Sequence, residues 1–243
     1  MIVVMEEVIK LAKEFQSFSK KEIDSAIDEL EGITKEKSRK HLQKLVYTNV
    51  VNRFDVLVDE MLLICASDES MSFHEIVLNK LEGQNVSMRE FYQTLLDDSP
   101  HKRAIESLKE VVRANHLRER HSKKLRYLLE KCLDIESSEL NKPRVNANDG
   151  RIHSTYTPRK GTTVPPSMIG YADYLYSRRN ALVHGGRTNS LKEHDIKYIQ
   201  KNFRITPPKT VGIKIASIKS ASNYYNYLCD FIIKGKWPDK RGF

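Results

Sequence analysis

Apolar residues recur at intervals of three and four along most of the chain, the spacing that lines one face of an α-helix. The clearest stripe runs through Met168, Ala172, Leu175 and Leu182, with Tyr176 and Val183 flanking it. Upstream, Met1 to Phe15 and Ser19 to Leu30 predict two short amphipathic helices, the second opened by Ser19 and closed by Gly32. Thr34 is placed to cap a long helix through Lys44 to about Ala66, whose apolar side reads Leu42, Leu45, Val46, Phe54, Leu57, Met61 and Ile64. Further helices are predicted over Ser72 to Leu81, Ser87 to Asp97 and Pro100 to Leu133, the last breaking near Asn115. Downstream come a helix from Ser190, its expected cap, to Phe203, and a closing helix from about Ser217 to Lys234. The closing helix carries Tyr224, Tyr225, Tyr227, Leu228, Phe231 and Ile232, a pattern of core packing.

Two segments depart from that period. Asp134 to Pro166 holds Asn-Lys-Pro, Asn-Asp-Gly and Pro-Pro and predicts a long loop or short hairpin. Thr210 to Ile215 alternates Val211, Ile213 and Ile215, as a brief extended segment does. The expected fold class is all-α, with residues 1–33 an N-terminal helical extension and 34–243 the main helical domain.

Composition narrows the function classes. The 243 residues suffice for a real core, and no apolar run approaches membrane length, Met61 to Ala66 being far too brief. Glu6 and Glu7 directly follow a very short apolar start, so no secretory leader is read and a cytoplasmic location is expected. Cys65, Cys132 and Cys229 are odd in number, far apart and set among apolar helix residues, the pattern of reduced core cysteines. The eight His lack paired spacing with them, so no metal or other cofactor is expected, and His116 and His121 read as surface. Charge is uneven: to Asn141 there are 22 Lys+Arg against 26 Asp+Glu, net −4, and from Lys142 onward 19 against 6, net +13. A surface of that kind attracts phosphate polymers by counterion release.

The basic half contains Arg178-Arg179-Asn180-Ala181-Leu182-Val183-His184-Gly185-Gly186 at a helix end. Arg179 falls within the apolar stripe, a costly place for a cation unless something pairs with it or uses it. His184 sits in the last predicted turn, and the glycines are expected to stop the helix in the left-handed C′ conformation. Five residues on an ideal helix amount to about 140° of rotation, so Arg179 and His184 do not share a face, whereas Asn180 and His184 do. The two meet at one phosphate only if the helix loosens at Gly185, the long Arg curls round, or a second copy of the chain contributes. The plainer reading is that Arg179 forms a buried ion pair and His184 caps the helix dipole.

Arg-Asn-x-x-x-His followed by Gly, near a helix end in an all-helical basic chain, resembles the Rx4-6H motif of the HEPN superfamily. The resemblance spans roughly Thr34 to Lys236 and is closest to the small bacterial HEPN proteins of toxin and abortive-infection systems. It implies a HEPN-like bundle and a metal-independent endoribonuclease in which the 2′-OH attacks the adjacent phosphorus, leaving 2′,3′-cyclic phosphate ends. His184 would transfer protons, Arg179 hold the non-bridging oxygens and Asn180 orient the site. A homodimer is expected, with RNA as substrate and an antitoxin or other regulatory protein as a further partner. HEPN proteins often face the motif with an acidic residue from an early helix, a place open to Asp55 or Asp59. Arg178 and Arg187 beside the motif, and Arg151, Tyr156, Arg159 and Lys160 in the loop before it, are the expected RNA contacts, Tyr156 offering a stacking face. Two rivals stand beside this: a non-catalytic HEPN-like module that binds RNA or protein, and a helical regulatory protein whose basic half binds DNA or an acidic partner.

Overall fold

The computed structural model describes residues 2–68, 71–79, 99–153, 156–185 and 188–235. These are predominantly helical: α1 (Ile2–Phe18), a π-helical turn (Ser19–Ile23), α2 (Asp24–Gly32), α3 (Glu36–Ala66), α4 (Ser72–Leu78), α5 (Pro100–Val111), α6 (His121–Tyr127), α7 (Ser137–Asn141), α8 (Met168–His184), α9 (Glu193–Phe203) and α10 (Ile215–Lys234). The all-α expectation holds. The Ser87–Asp97 helix lies outside the described residues. No described helix is long and apolar enough to cross a membrane.

Two compact units divide the chain, residues 1–8 with 58–135 and residues 9–57 with 136–243. The cut differs from the boundary at residue 33, because the first helices carry apolar faces that pack inside the larger unit. In that unit Phe15 stands edge-on to Phe54 at 5.4 Å, and Phe54 stacks on Tyr225 of α10 at 4.1 Å. Tyr171 of α8 meets Tyr224 edge-on at 4.9 Å, extending the aromatic core. Ser19 does not cap a helix; it is buried in the π-helical turn, where its Oγ lies 2.6 Å from Ser222 Oγ and accepts from Asn226 Nδ2 at 2.8 Å. One turn earlier Gln16 Nε2 donates to Asp230 Oδ1 at 2.9 Å.

The irregular stretch after α7 resolves into a hairpin, β1 (Arg144–Val145) antiparallel to β2 (Ile152–His153). Its turn is fixed to α10: Ser220 Oγ donates to Asn148 O at 2.8 Å and Asn223 Nδ2 to Asp149 O at 2.9 Å. Gly150 is required there twice over, by φ +75° and because a Cβ would lie 1.8 Å from Ser220 O. After α8, residues 189–191 pair with 209–211 through Leu191 N to Lys209 O and Val211 N to Asn189 O. Ser190 therefore bridges Thr210 rather than capping a helix, and α9 begins at Glu193 behind Lys192.

The smaller unit packs the end of α3 with α4, α5 and α6. His116 and His121 are buried, not on the surface; His116 fills an aromatic cluster, 5.3 Å from Phe73 and 5.2 Å from Tyr127. The helix predicted over Pro100 to Leu133 is interrupted, with a π-helical turn at Val112–His116 and a break before His121. All three cysteines are free and buried, as expected of core thiols, and burial pushes the Cys132 and Cys229 thiols well up.

Candidate functional site

Ser167 opens α8, its Oγ accepting from Gly170 N at 3.3 Å, and Met168, Ala172, Leu175 and Leu182 are buried as the stripe requires. Those apolar contacts fix the rotation of α8 and so decide where the polar residues of its last two turns go. Arg178, Arg179 and Asn180 are half-buried, while Val183 and His184 are exposed. His184 makes no hydrogen bond to a described residue, so its imidazole faces solvent at the helix end. Arg179 packs over the Tyr176 ring at 5.6 Å, and its Nη1 donates to Asn180 Oδ1 at 2.7 Å. Its Nε is buried without a partner, an arrangement that costs about 1–3 kcal/mol when nothing offsets it. Asn180 thus restrains Arg179 rather than bonding to His184.

Gly185 ends the helix for a different reason from the one expected. Its φ is −76°, not left-handed. A Cβ there would lie 2.2 Å from Ala181 O, 2.7 Å from Ser190 N and 2.9 Å from Ser190 O, so glycine is required by the close return of the backbone. That return brings Asn189 back past the helix end, where its Oδ1 accepts from Lys44 Nζ of α3 at 2.5 Å.

The acids expected to face Arg179 are engaged elsewhere. Tyr47 Oη donates to Leu175 O at 3.1 Å, and Lys44, one turn earlier, reaches Asn189 beyond the end of α8. Helix α3 therefore runs antiparallel to α8, and Asp55 lies eight residues past Tyr47, roughly 12 Å further along and toward the start of α8. There it sits near Tyr225, whose phenol is pushed up mainly by burial, with the neighbouring Tyr47 and Tyr224 and the Asp55 carboxylate adding to it. Asp59 belongs to the smaller unit and binds Lys124, its Oδ1 2.6 Å from Nζ. Among the described residues, Arg179 is held by Asn180 and Tyr176 instead.

The expected RNA contacts separate. Arg178 turns inward: its Nη2 donates to Gly212 O and to Ser217 Oγ at 2.8 Å, and the guanidinium lies over the Tyr47 ring at 5.2 Å. Burial raises the Tyr47 phenol far above its usual value, the nearby Arg178 charge opposing that only in part. Arg151, Arg159 and Lys160 are exposed, Arg151 in the hairpin and the other two in a turn closed by Thr162 N to Arg159 O. Tyr156 is half-buried with its ring 6.2 Å from His153, which limits its stacking face. Arg187 lies outside the described residues.

One cavity in the larger unit was not anticipated. Its volume is about 520 Å³, and Lys40, Lys44, Arg178, Asn189, Gly212, Ile213, Lys214 and Ser217 line it. Two features of the sequence pointed to it: Lys40 and Lys44 at i, i+4 share a face of α3, and Tyr47 follows one turn later. Lys214 was hidden in the segment read only as an extended stretch. No family model, curated protein or solved structure matches this chain.

Proposed function

We propose that the protein is a metal-independent endoribonuclease of the HEPN type, acting as a homodimer and serving as a toxin or defence effector. The observation that supports this best is the pairing, at one helix end, of a solvent-facing imidazole with a guanidinium braced by Asn180 and Tyr176. His184 moves the proton between the ribose 2′-OH, the leaving 5′-oxygen and water, which needs an imidazole open to substrate. Arg179 offers N–H groups and fixed charge to the non-bridging oxygens as negative charge builds up on them. Because Asn180 takes up one of its N–H groups, the guanidinium has less freedom to lose when RNA binds. The 140° between Arg179 and His184 favours a cleft shared by two copies, and the exposed Val183 beside His184 is an apolar residue that such a contact would cover. The half-buried position of Arg179 and its unpartnered Nε also fit a second reading, a non-catalytic module in which Arg179 only braces the helix.

Single-turnover cleavage with saturating enzyme and excess chelator separates the two. The parent is expected to cut RNA with 2′,3′-cyclic phosphate ends, and His184→Ala to lose cleavage with RNA affinity within a few-fold. Equal rates for parent and variant would make His184 a helix cap and the non-catalytic module the better reading.

A further inference from the structure

Four cations, Lys40, Lys44, Arg178 and Lys214, line the cavity of about 520 Å³ between α3, the later part of α8 and the start of α10, and its lining contains no carboxylate. Like charges gathered round one space repel unless an anion joins them. Glu36 pairs with Lys40 from outside at 2.5 Å, but both side chains are more than 60% exposed, and an exposed i, i+4 pair holds its partner weakly. Lys44 gives one N–H to Asn189 and keeps two donors. Arg178 is preorganised: the Tyr47 ring backs its plane, and Nη2 is fixed by Gly212 O and Ser217 Oγ. Its Nη1 makes no hydrogen bond to a described residue and remains as a donor.

We propose that this cavity is a phosphate subsite that holds a backbone phosphate of RNA next to the cleavage position, an assignment that rests on the ribonuclease reading above. The volume exceeds that of one phosphate and has room for its sugar. Ile213 is the one apolar side chain in the lining, and the Tyr47 ring is covered by Arg178, so the cavity offers no stacking face for a base. Its chemistry selects the charged backbone rather than base identity. Arg178 precedes His184 by six residues, roughly 9 Å along the helix axis. That separation puts the held phosphate a nucleotide or so from the bond that His184 addresses.

The test is binding of a fluorescent RNA oligonucleotide across a salt series, with His184→Ala as the common background so that cleavage does not interfere. Adding Lys44→Ala and Lys214→Ala together is expected to weaken binding about tenfold and to reduce the slope of log K against log salt by about 1.4, at about 0.7 per phosphate contact on a single strand. Lys40→Ala with Lys214→Ala, both at exposed positions, repeats the measurement where folding is not at stake, and thermal melting checks each variant. Affinity and slope unchanged in both pairs would overturn the proposal. So would tighter lysine-dependent binding of adenosine monophosphate or inorganic phosphate than of the oligonucleotide, which would make the cavity a small-anion site. If the unsubstituted protein fails to cleave RNA while the oligonucleotide still binds in the lysine-dependent way, the nuclease reading falls and the subsite stands.

Discussion

Replacing Asp59 by Ala breaks the ion pair with Lys124, and the structure sets the size of the effect. The Lys124 side chain is 4% exposed and that of Asp59 26%, with Nζ and Oδ1 2.6 Å apart. Removing one partner of a fully buried pair costs about 3–5 kcal/mol, because the remaining charge cannot regain its hydration. The solvent access of Asp59 places this pair near the lower end, about 3 kcal/mol. For a chain of this length that corresponds to a fall in Tm of roughly 6–12 °C. Asp59→Ala with Lys124→Met removes both charges and is expected to recover most of the loss, since two apolar side chains of similar volume often replace a buried pair at little cost. Circular dichroism in a urea series measures all three proteins. RNA cleavage by Asp59→Ala, assayed well below its transition, should match the parent, because the carboxylate serves Lys124 and not Arg179. A loss under 1 kcal/mol would refute the burial argument. Unchanged stability with lost cleavage would return Asp59 to the motif.

Two further outcomes are expected. Gly185→Ala must displace either the end of α8 or the backbone at Ser190, so it should cost about 1–3 kcal/mol, seen as a lower urea midpoint, and reduce cleavage by misplacing His184; a variant equal to the parent in both would show that the return loop yields freely. Burial raises the phenols of Tyr47, Tyr171, Tyr174, Tyr224 and Tyr225 above the unfolded value near 10, so the folded state holds protons that the unfolded chain releases. The stabilisation is complete below about pH 10 and declines as pH rises above it, which urea midpoints at successive alkaline pH values will reveal as a progressive fall.

Much of the helical framework was legible because its apolar period is strong: the stripe of α8 and the closing helix both fall where they were expected. Reading failed where a choice of face depended on a partner elsewhere in the chain. Leu42 and Leu45 were placed on the buried side of α3, yet they are 38% and 53% exposed while Gln43, Tyr47 and Val50 are buried. The helix period permits either face there, and packing chose the one that brings Tyr47 to Leu175. The motif residues were visible as types and spacing, but the role of Arg178 was not. Its partners, Gly212 and Ser217, lie 34 and 39 residues away, and only the pairing of residues 189–191 with 209–211 brings them close. Histidines 116 and 121 were misread for a related reason: neighbours of high charge suggest solvent, whereas the tertiary contacts of those two rings are apolar and aromatic.

The bond between Ser19 and Ser222 joins positions 203 residues apart, and Gln16 reaches Asp230 across 214. During synthesis the first helices therefore leave the ribosome long before the segment that covers them exists. At about 5–20 residues per second the wait is roughly 10–40 s, during which the apolar face of Phe15, Phe18 and Ile23 must be shielded by other means. The motif helix is made inside that interval, yet the unit that orients it cannot close until residues 215–234 have emerged. A chain able to cut RNA would thus acquire that ability only after most of its own message has been read.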